Sequence, residues 1–150
     1  MKQSETDLYL FVYGTLLSTL QHPVFLQMCQ YARLISPATT SGQLYLIDGY
    51  PGLITSGTAQ QQVTGELYSI HDSIKLFALL DEYEGCSMRF AEPTEYIRRG
   101  VKVESNGRSV PSWTYIYNWP VTNRRLISNG DFNQYQSLLG GSCLKSSPAS

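Results

Sequence analysis

Short apolar and alternating segments dominate the hydrophobic pattern of the 150-residue chain. Residues 8–12 (LYLFV) are apolar throughout, which is typical of a buried strand. Alternation of apolar and polar positions predicts most of the other strands. These predicted strands cover residues 40–47, 53–55, 63–70, 94–104 and 109–117. Asn106-Gly107, between the last two, is a typical hairpin signal and predicts that these two strands are paired.

Helical spacing of apolar residues is strongest between Asp72 and Gly85. Asp72 is a typical N-cap residue, and Gly85 is typical of the position just beyond the C-terminus of a helix. Pro23 can start a second, shorter helix. A terminal helix is predicted over residues 131–139.

These elements predict one domain, residues 1–139, followed by a small polar tail, residues 140–150, that we expect to be disordered. Strands joined by turns alternate with few helices, which favours an α+β fold. We expect a mixed, mostly antiparallel curved sheet or small β-barrel with two or three helices packed outside. Gly65, inside a predicted strand, indicates either a bulge or a closely packed neighbour.

Charge and cysteine content argue against several classes of function. The chain has 11 basic and 12 acidic residues, so we expect no surface for nucleic acid or for an anionic membrane. Its three cysteines lack metal-ligand or redox spacing, and this favours a reducing cytoplasm. No apolar run is long enough to cross a bilayer. Without a Gly-rich phosphate loop or a His/Cys/Asp cluster, we expect no nucleotide, no other cofactor and no metal.

Two segments far apart in the chain are candidates for chemistry. Gly14 follows the first predicted strand and lets the backbone turn sharply, which leaves amide N–H groups available to an anion. Glu84 lies at the end of the strongest predicted helix, where the helix dipole disfavours a carboxylate. A charge in such a place usually serves another purpose, and a raised pKa is what a general base working near neutral pH needs.

Five motifs occur in an order that resembles the gamma-glutamylcyclotransferase family, in its AIG2-like branch. They are YGTL at 13–16, GQLY at 42–45 with GYPG at 49–52, GELY at 65–68, LDEYEG at 80–85, and YIR at 96–98 with VKV at 101–103. Each motif alone is weakly specific, but five in register over roughly residues 8–135 are fairly specific. The family resembled has a mixed barrel of about this size.

The resemblance implies a cofactor-independent enzyme of the acyltransferase or lyase type. In the family reaction, the α-amine of a gamma-glutamyl group attacks its own γ-carbonyl, closes 5-oxoproline and releases an amine. By resemblance Glu84 is the general acid/base and a small gamma-glutamyl compound is the substrate. The substrate-binding residues implied in the same way are Tyr13, Gly14, Thr15, Leu16, Tyr96 and Tyr115. The first four would hold an anion with backbone amides, and the two later tyrosines would hydrogen-bond the substrate or orient Glu84.

Several residues have plainer interpretations. His22 is interpreted as an exposed loop histidine, because no carboxylate or cysteine adjoins it. Asp72 beside His71 is explained by helix capping, and Cys86 lacks an evident base that would activate it as a nucleophile. Four other charged residues have structural interpretations, as solvated charges or as an ion-pair partner: Glu66, Asp81, Glu82 and Arg98.

Two further hypotheses remain for the whole protein. It is either a non-catalytic small-molecule-binding or structural domain with the same fold, or an enzyme that cleaves a different acyl amine. The leaving group would be set by the loops at residues 56–62 and 86–93, whose paths the sequence does not determine.

Overall fold

A computed structural model describes residues 7–55 and 61–139, and within these ranges it contains eight strands and three α-helices. The strands are β1 (Leu8–Val12), β2 (Ala32–Ser41), β3 (Gln43–Leu46), β4 (Pro51–Ile54), β5 (Gln62–Ile70), β6 (Tyr96–Ser105), β7 (Arg108–Tyr117) and β8 (Arg125–Leu126). The helices are α1 (Pro23–Met28), α2 (Ser73–Tyr83) and α3 (Phe132–Leu139), with a 3₁₀ turn at Ser18–Leu20. The predicted tail at 140–150 and residues 56–60 of the predicted loop lie outside the described residues.

Five strands close into a barrel in the order β1-β5-β2-β6-β7. Four of the neighbouring pairs are antiparallel, and the barrel closes where β1 and β7 run parallel, with Leu10 opposite Trp113. A second sheet contains three strands in the order β4-β3-β8. The expected mixed, mostly antiparallel barrel is therefore confirmed. None of the helices within the described ranges is long and apolar enough to cross a membrane.

Aromatic side chains fill much of the core. Four tyrosines are among the largest side chains that are less than 2% exposed: Tyr13, Tyr68, Tyr96 and Tyr115. Each hydroxyl donates a hydrogen bond inside the protein, as a buried tyrosine requires. Burial of each large apolar side chain stabilises the fold by about 1.5–3 kcal/mol relative to exposure.

Gly65 allows β1 to pack closely on β5. A Cβ atom at this position would lie 2.1 Å from the backbone oxygen of Val12 and 2.8 Å from the ring of Phe11. Of the two explanations considered for Gly65, the closely packed neighbour is the one observed, because Gly65 pairs in register with Ala38. The register shift of this part of the barrel lies instead in β2, between Leu34 and Ser36.

Helix α2 begins and ends where its sequence signals predict. The Asp72 side chain accepts a hydrogen bond from the backbone N–H of Lys75 at 3.2 Å, and Gly85 has a φ of +75°, the left-handed conformation that favours glycine beyond a helix end. Leu76 and Leu80 form the buried face of the helix. The helix therefore delivers Glu84, its C-cap residue, to a defined place on the barrel.

The β6–β7 hairpin also follows its signal. Asn106 and Gly107 have φ values of +53° and +77°, as a tight hairpin turn of this type requires.

The predicted bounds of two strands are wrong. The single strand predicted over residues 40–47 is interrupted at Gly42, which separates β2 from β3. Strand β2 begins at Ala32, earlier than predicted, because its mostly exposed first half lacks a clear alternation. The two-residue strand β8 was not predicted.

Candidate active site

The turn after β1 is buried and held in place by side chains from distant strands. Tyr13, Thr15 and Leu16 are fully buried. The Tyr13 hydroxyl donates to the backbone oxygen of Tyr115 at 2.7 Å and accepts from the backbone N–H of Leu53 at 3.1 Å. The oxygen of Gly14 accepts from the N–H of Leu17 at 3.0 Å. Because both ends of the turn are bonded, residues 13–16 have a defined backbone path.

A carboxylate of the protein itself binds Ser18, two residues after this turn. The backbone N–H and the hydroxyl of Ser18 donate to the two carboxylate oxygens of Glu66 at 2.9 and 2.6 Å. The Tyr68 hydroxyl donates to the same carboxylate at 3.0 Å. The interpretation of Glu66 as a solvated charge is therefore wrong. The 48 residues between Ser18 and Glu66 leave no local signal for the contact in the sequence.

Two acids near the end of α2 have opposite environments. Glu84 is 0% exposed. The side chain of Glu82 is 44% exposed and forms an ion pair with Arg89, which agrees with the solvated interpretation of Glu82. Residues two apart on a helix point in different directions, so only one of these acids faces the protein interior.

The electrostatic influence of Glu84 reaches side chains on several elements. Its negative charge raises the pKa of Tyr83 on α2 and of Tyr96 and Tyr115 on the barrel, where burial is the largest cause of each shift. It also adds to the shift at Cys86. The charge of Glu84 is therefore felt both at the end of α2 and on strands β6 and β7.

The two predicted segments meet through Tyr83, the residue before Glu84. Its hydroxyl oxygen lies 2.9 Å from the hydroxyl oxygen of Thr15. The helix end that carries Glu84 and the turn at residues 13–16 are consequently neighbours, although they are remote in the sequence.

His22 adjoins this contact, and its interpretation as an exposed loop residue is wrong. It is 6% exposed and caps α1, since its Nδ1 accepts the N–H of Val24 at 3.0 Å. Its ring meets that of Tyr83 edge-on, with centroids 5.3 Å apart. The sequence offered one signal for the cap, a polar side chain directly before Pro23.

Asp81 anchors the end of α2 to the barrel. It forms a bidentate ion pair with Arg98, with both N–O distances 3.0 Å, and accepts from the Tyr115 hydroxyl at 2.6 Å. The Arg98 guanidinium lies 4.1 Å from the ring centroid of Phe77 on the same helix. Arg98 thus has the ion-pair role expected of it, whereas the interpretation of Asp81 as a solvated charge is wrong.

The two tyrosines predicted to bind substrate lie on β6 and β7. Tyr96 is 0% exposed, and its hydroxyl donates to the backbone oxygen of Pro51 at 2.7 Å. Tyr115 is 1% exposed and donates to Asp81. Both hydroxyl hydrogens therefore bond to the protein, and each oxygen retains acceptor capacity.

Cys86 has the properties of a weak nucleophile. Burial, followed by the nearby charges of Asp81 and Glu84, raises the pKa of its thiol to about 12. A thiol with this pKa is almost wholly protonated at neutral pH.

Among the residues described, no group of three or more His, Cys, Asp or Glu side chains is arranged to hold a metal ion.

Comparisons with known proteins agree with this architecture. Over residues 10–134 the chain matches the family described as "Gamma-glutamyl cyclotransferase, AIG2-like". A search of curated proteins found no significant match.

Three solved structures illustrate the structural similarity. YkqA from Bacillus subtilis is 24% identical with a TM-score of 0.66, and the match covers 90% of this chain and 43% of that one. An AIG2-like protein from Mus musculus is 26% identical with a TM-score of 0.59, covering 75% of this chain and 78% of that one. The ytfP protein from Escherichia coli is 26% identical with a TM-score of 0.58, covering 86% of this chain and 99% of that one.

The chain thus spans less than half of YkqA but nearly all of ytfP. Since the family match extends from β1 into α3, the chain belongs to the AIG2-like gamma-glutamyl cyclotransferase family.

Proposed function

We propose that this protein is a gamma-glutamylcyclotransferase-type enzyme that converts a gamma-glutamyl group to 5-oxoproline and releases an amine. The observation that carries the proposal is the fully buried Glu84 at the end of α2, beside a helix residue that contacts Thr15. Burial and the C-terminal end of a helix both disfavour a negative charge. An acid retained in such a place is suited to exchanging protons with a substrate.

In the proposed reaction Glu84 carries two protons, one after the other, from the attacking nitrogen to the leaving nitrogen. Its carboxylate accepts a proton from the substrate α-ammonium, and the freed amine attacks the γ-carbonyl carbon. The new C–N bond closes the five-membered ring as the C–N bond to the leaving amine breaks. The protonated Glu84 then donates its proton to the leaving nitrogen. Its carboxylate next takes the extra proton that remains on the ring nitrogen and passes it to the released amine, so the products are 5-oxoproline and an ammonium ion and the enzyme returns to its starting state.

The turn at residues 13–16 would bind the negative charge of the substrate. Backbone N–H groups can hold a carboxylate or the oxyanion that forms on the γ-carbonyl oxygen. The neighbouring Ser18 amide already binds the carboxylate of Glu66, which illustrates the affinity of this loop for such a group. In this arrangement Tyr13, Gly14, Thr15 and Leu16 contribute through the backbone.

Tyr96 and Tyr115 would line the site as hydrogen-bond acceptors. Since their hydroxyl hydrogens are donated to Pro51 and Asp81, their oxygens can accept from the substrate ammonium. The reaction joins two parts of one substrate, so proton transfer and correct orientation are sufficient. We therefore propose that it needs no cofactor.

The test is a screen of purified protein with gamma-glutamyl amines and gamma-glutamyl amino acids for released 5-oxoproline. We expect turnover with at least one compound, and its loss in Glu84→Gln, because the amide keeps the shape of the side chain and cannot accept the proton. Glu82→Gln is the matched control, since Glu82 is exposed on the same helix. Release of 5-oxoproline by Glu84→Gln at the wild-type rate would refute the assignment.

The screen also separates the alternative of a non-catalytic domain with the same fold. If gamma-glutamyl compounds bind to the wild-type protein and are recovered intact, the protein is a binding domain. Calorimetry with the compounds from the screen, followed by mass spectrometry of the recovered ligand, distinguishes the two outcomes.

A further inference from the structure

Tyr83 joins the two halves of the proposed site through its hydroxyl group. Its side chain leaves α2 one residue before Glu84, and its hydroxyl oxygen lies 2.9 Å from Oγ1 of Thr15. The contact connects residues 68 positions apart. Movement of the helix end relative to the turn would break it.

His22 contacts the same hydroxyl group. Since Nδ1 of His22 accepts the N–H of Val24, the proton of the neutral imidazole lies on Nε2. Nε2 is 3.5 Å from the hydroxyl oxygen of Tyr83, at the long limit for a hydrogen bond. The Nε2–H group therefore faces the tyrosine oxygen as a donor.

The contact between Tyr83 and Thr15 is a hydrogen bond in which either hydroxyl group can donate. In either direction the two oxygens must stay within hydrogen-bond distance, so the contact fixes the position of the helix end relative to the turn.

We propose that Tyr83, whose ring packs against His22, is a positioning residue that sets the separation between Glu84 and the turn. The inference rests on the proposed function and adds the residues that give its two halves their geometry. Small displacements of reacting groups have large effects on turnover, so one hydroxyl group is enough for a measurable change.

The first test is Tyr83→Phe, which keeps the ring against His22 and removes only the hydroxyl. We expect kcat for 5-oxoproline release to fall about tenfold, with KM within about twofold of wild type and the melting temperature nearly unchanged. Tyr45→Phe is the control, because the Tyr45 hydroxyl contacts Gln43 in its own strand, at 3.4 Å, and does not join α2 to the turn. A kcat for Tyr83→Phe within twofold of an active wild type would overturn the proposal.

Two substitutions separate the cap at His22 from its contact with Tyr83. His22→Asn keeps an acceptor for the Val24 N–H but is too short to reach Tyr83, so we expect normal stability and a kcat lowered about threefold. His22→Gln places an amide N–H near the position of Nε2 and loses the cap, so we expect lower stability and a kcat closer to wild type. Equal kcat values in the two variants would overturn the role of His22.

Hydrogen exchange gives a readout that is independent of turnover. We expect Tyr83→Phe to accelerate amide exchange in both segments, residues 13–18 and 80–86, and to leave the β6–β7 hairpin unchanged. If wild type releases no 5-oxoproline, the proposed function fails, and exchange alone decides the positioning role. Unchanged exchange in residues 13–18 would then overturn it.

Discussion

The two ends of helix α2 each carry a carboxylate, and the two are explained by different physics. Asp72 lies at the N-terminus, where its side chain accepts the N–H of Lys75 and the helix dipole favours a negative charge. Glu84 lies at the C-terminus, where the dipole disfavours the charge, and it is fully buried. Local stability accounts for the first acid. The second requires an explanation from the rest of the molecule.

The surroundings of the two ends differ in the same way. The N-terminal cap depends on one contact within the same turn. At the C-terminal end, Asp81 pairs with Arg98, Tyr83 contacts Thr15, and Tyr115 donates to Asp81. A protein that retains a poorly placed charge and surrounds it with long-range contacts usually does so for function.

Exchanging each acid for its amide is expected to give the largest contrast. Glu84→Gln should lower kcat/KM for 5-oxoproline release by about a hundredfold or more, the usual contribution of a general acid/base. Asp72→Asn should leave it within about twofold, because asparagine caps a helix as well as aspartate does. Steady-state assays of both variants on one substrate make the comparison. Similar losses in the two variants would mean that the ends of α2 do not differ in function.

Alkaline pH should weaken the C-terminal end through its tyrosines. Burial raises the pKa of Tyr83, Tyr96 and Tyr115 in the folded protein, with Glu84 adding to each shift. Below about pH 10, the pKa of tyrosine in the unfolded chain, all three hydroxyl groups are protonated in both states, and the folded protein keeps its full stability. Above it only the unfolded state releases the protons, and stability falls as pH rises.

At pH 11 the loss is about 1.4 kcal/mol for each tyrosine. Urea unfolding at pH 9 and at pH 11 measures it. A stability that is the same at both values would contradict the burial of these hydroxyl groups.

Breaking the ion pair that holds the C-terminal end should cost about 1–2 kcal/mol in the free energy of unfolding, since both side chains are only partly exposed. Arg98→Gln is the variant, and Arg99→Gln, at an exposed neighbouring position, is its control. Thermal unfolding followed by circular dichroism reports both. Equal melting temperatures for the two variants would show that the Asp81–Arg98 contact contributes little.

Removing the N-terminal cap should have a smaller effect. Asp72→Ala is expected to destabilise the protein by about 1 kcal/mol, because the N–H of Lys75 loses its acceptor. Asp72→Asn restores an acceptor and should restore the stability. Urea unfolding of the two variants tests the expectation, which fails if alanine and asparagine are equivalent.

The smallest expected effect concerns Cys86, whose reactivity reports the charge on Glu84. Glu84 contributes to the raised pKa of this thiol, so Glu84→Gln should lower the pKa and speed alkylation about twofold to threefold. Peptide mapping after iodoacetamide treatment at pH 8.5 follows Cys86 separately from the exposed Cys29. Slower alkylation of Cys86 in the variant would contradict the expectation that the charge of Glu84 raises the pKa of this thiol.

The contrast along α2 also separates what could be predicted from what could not. Asp72, Gly85 and the turn at Asn106-Gly107 act within a few residues, and the structure confirms all three. The contacts of His22, Glu66 and Asp81 were missed. His22 contacts Tyr83 61 residues away, Glu66 binds Ser18 48 residues away, and Asp81 pairs with Arg98 17 residues away. No local sequence pattern encodes such pairs.

The sequence by itself determined the type of most elements, the ends of the main helix and the family, because capping, turn formation and hydrophobic alternation depend on neighbouring residues. Only the tertiary structure decided that Glu84 is buried, that Tyr83 reaches Thr15, and that the Tyr115 hydroxyl bonds to Asp81. Closure of the barrel between β1 and β7 and the packing of α2 bring these groups together, and both result from burying apolar surface over the whole chain.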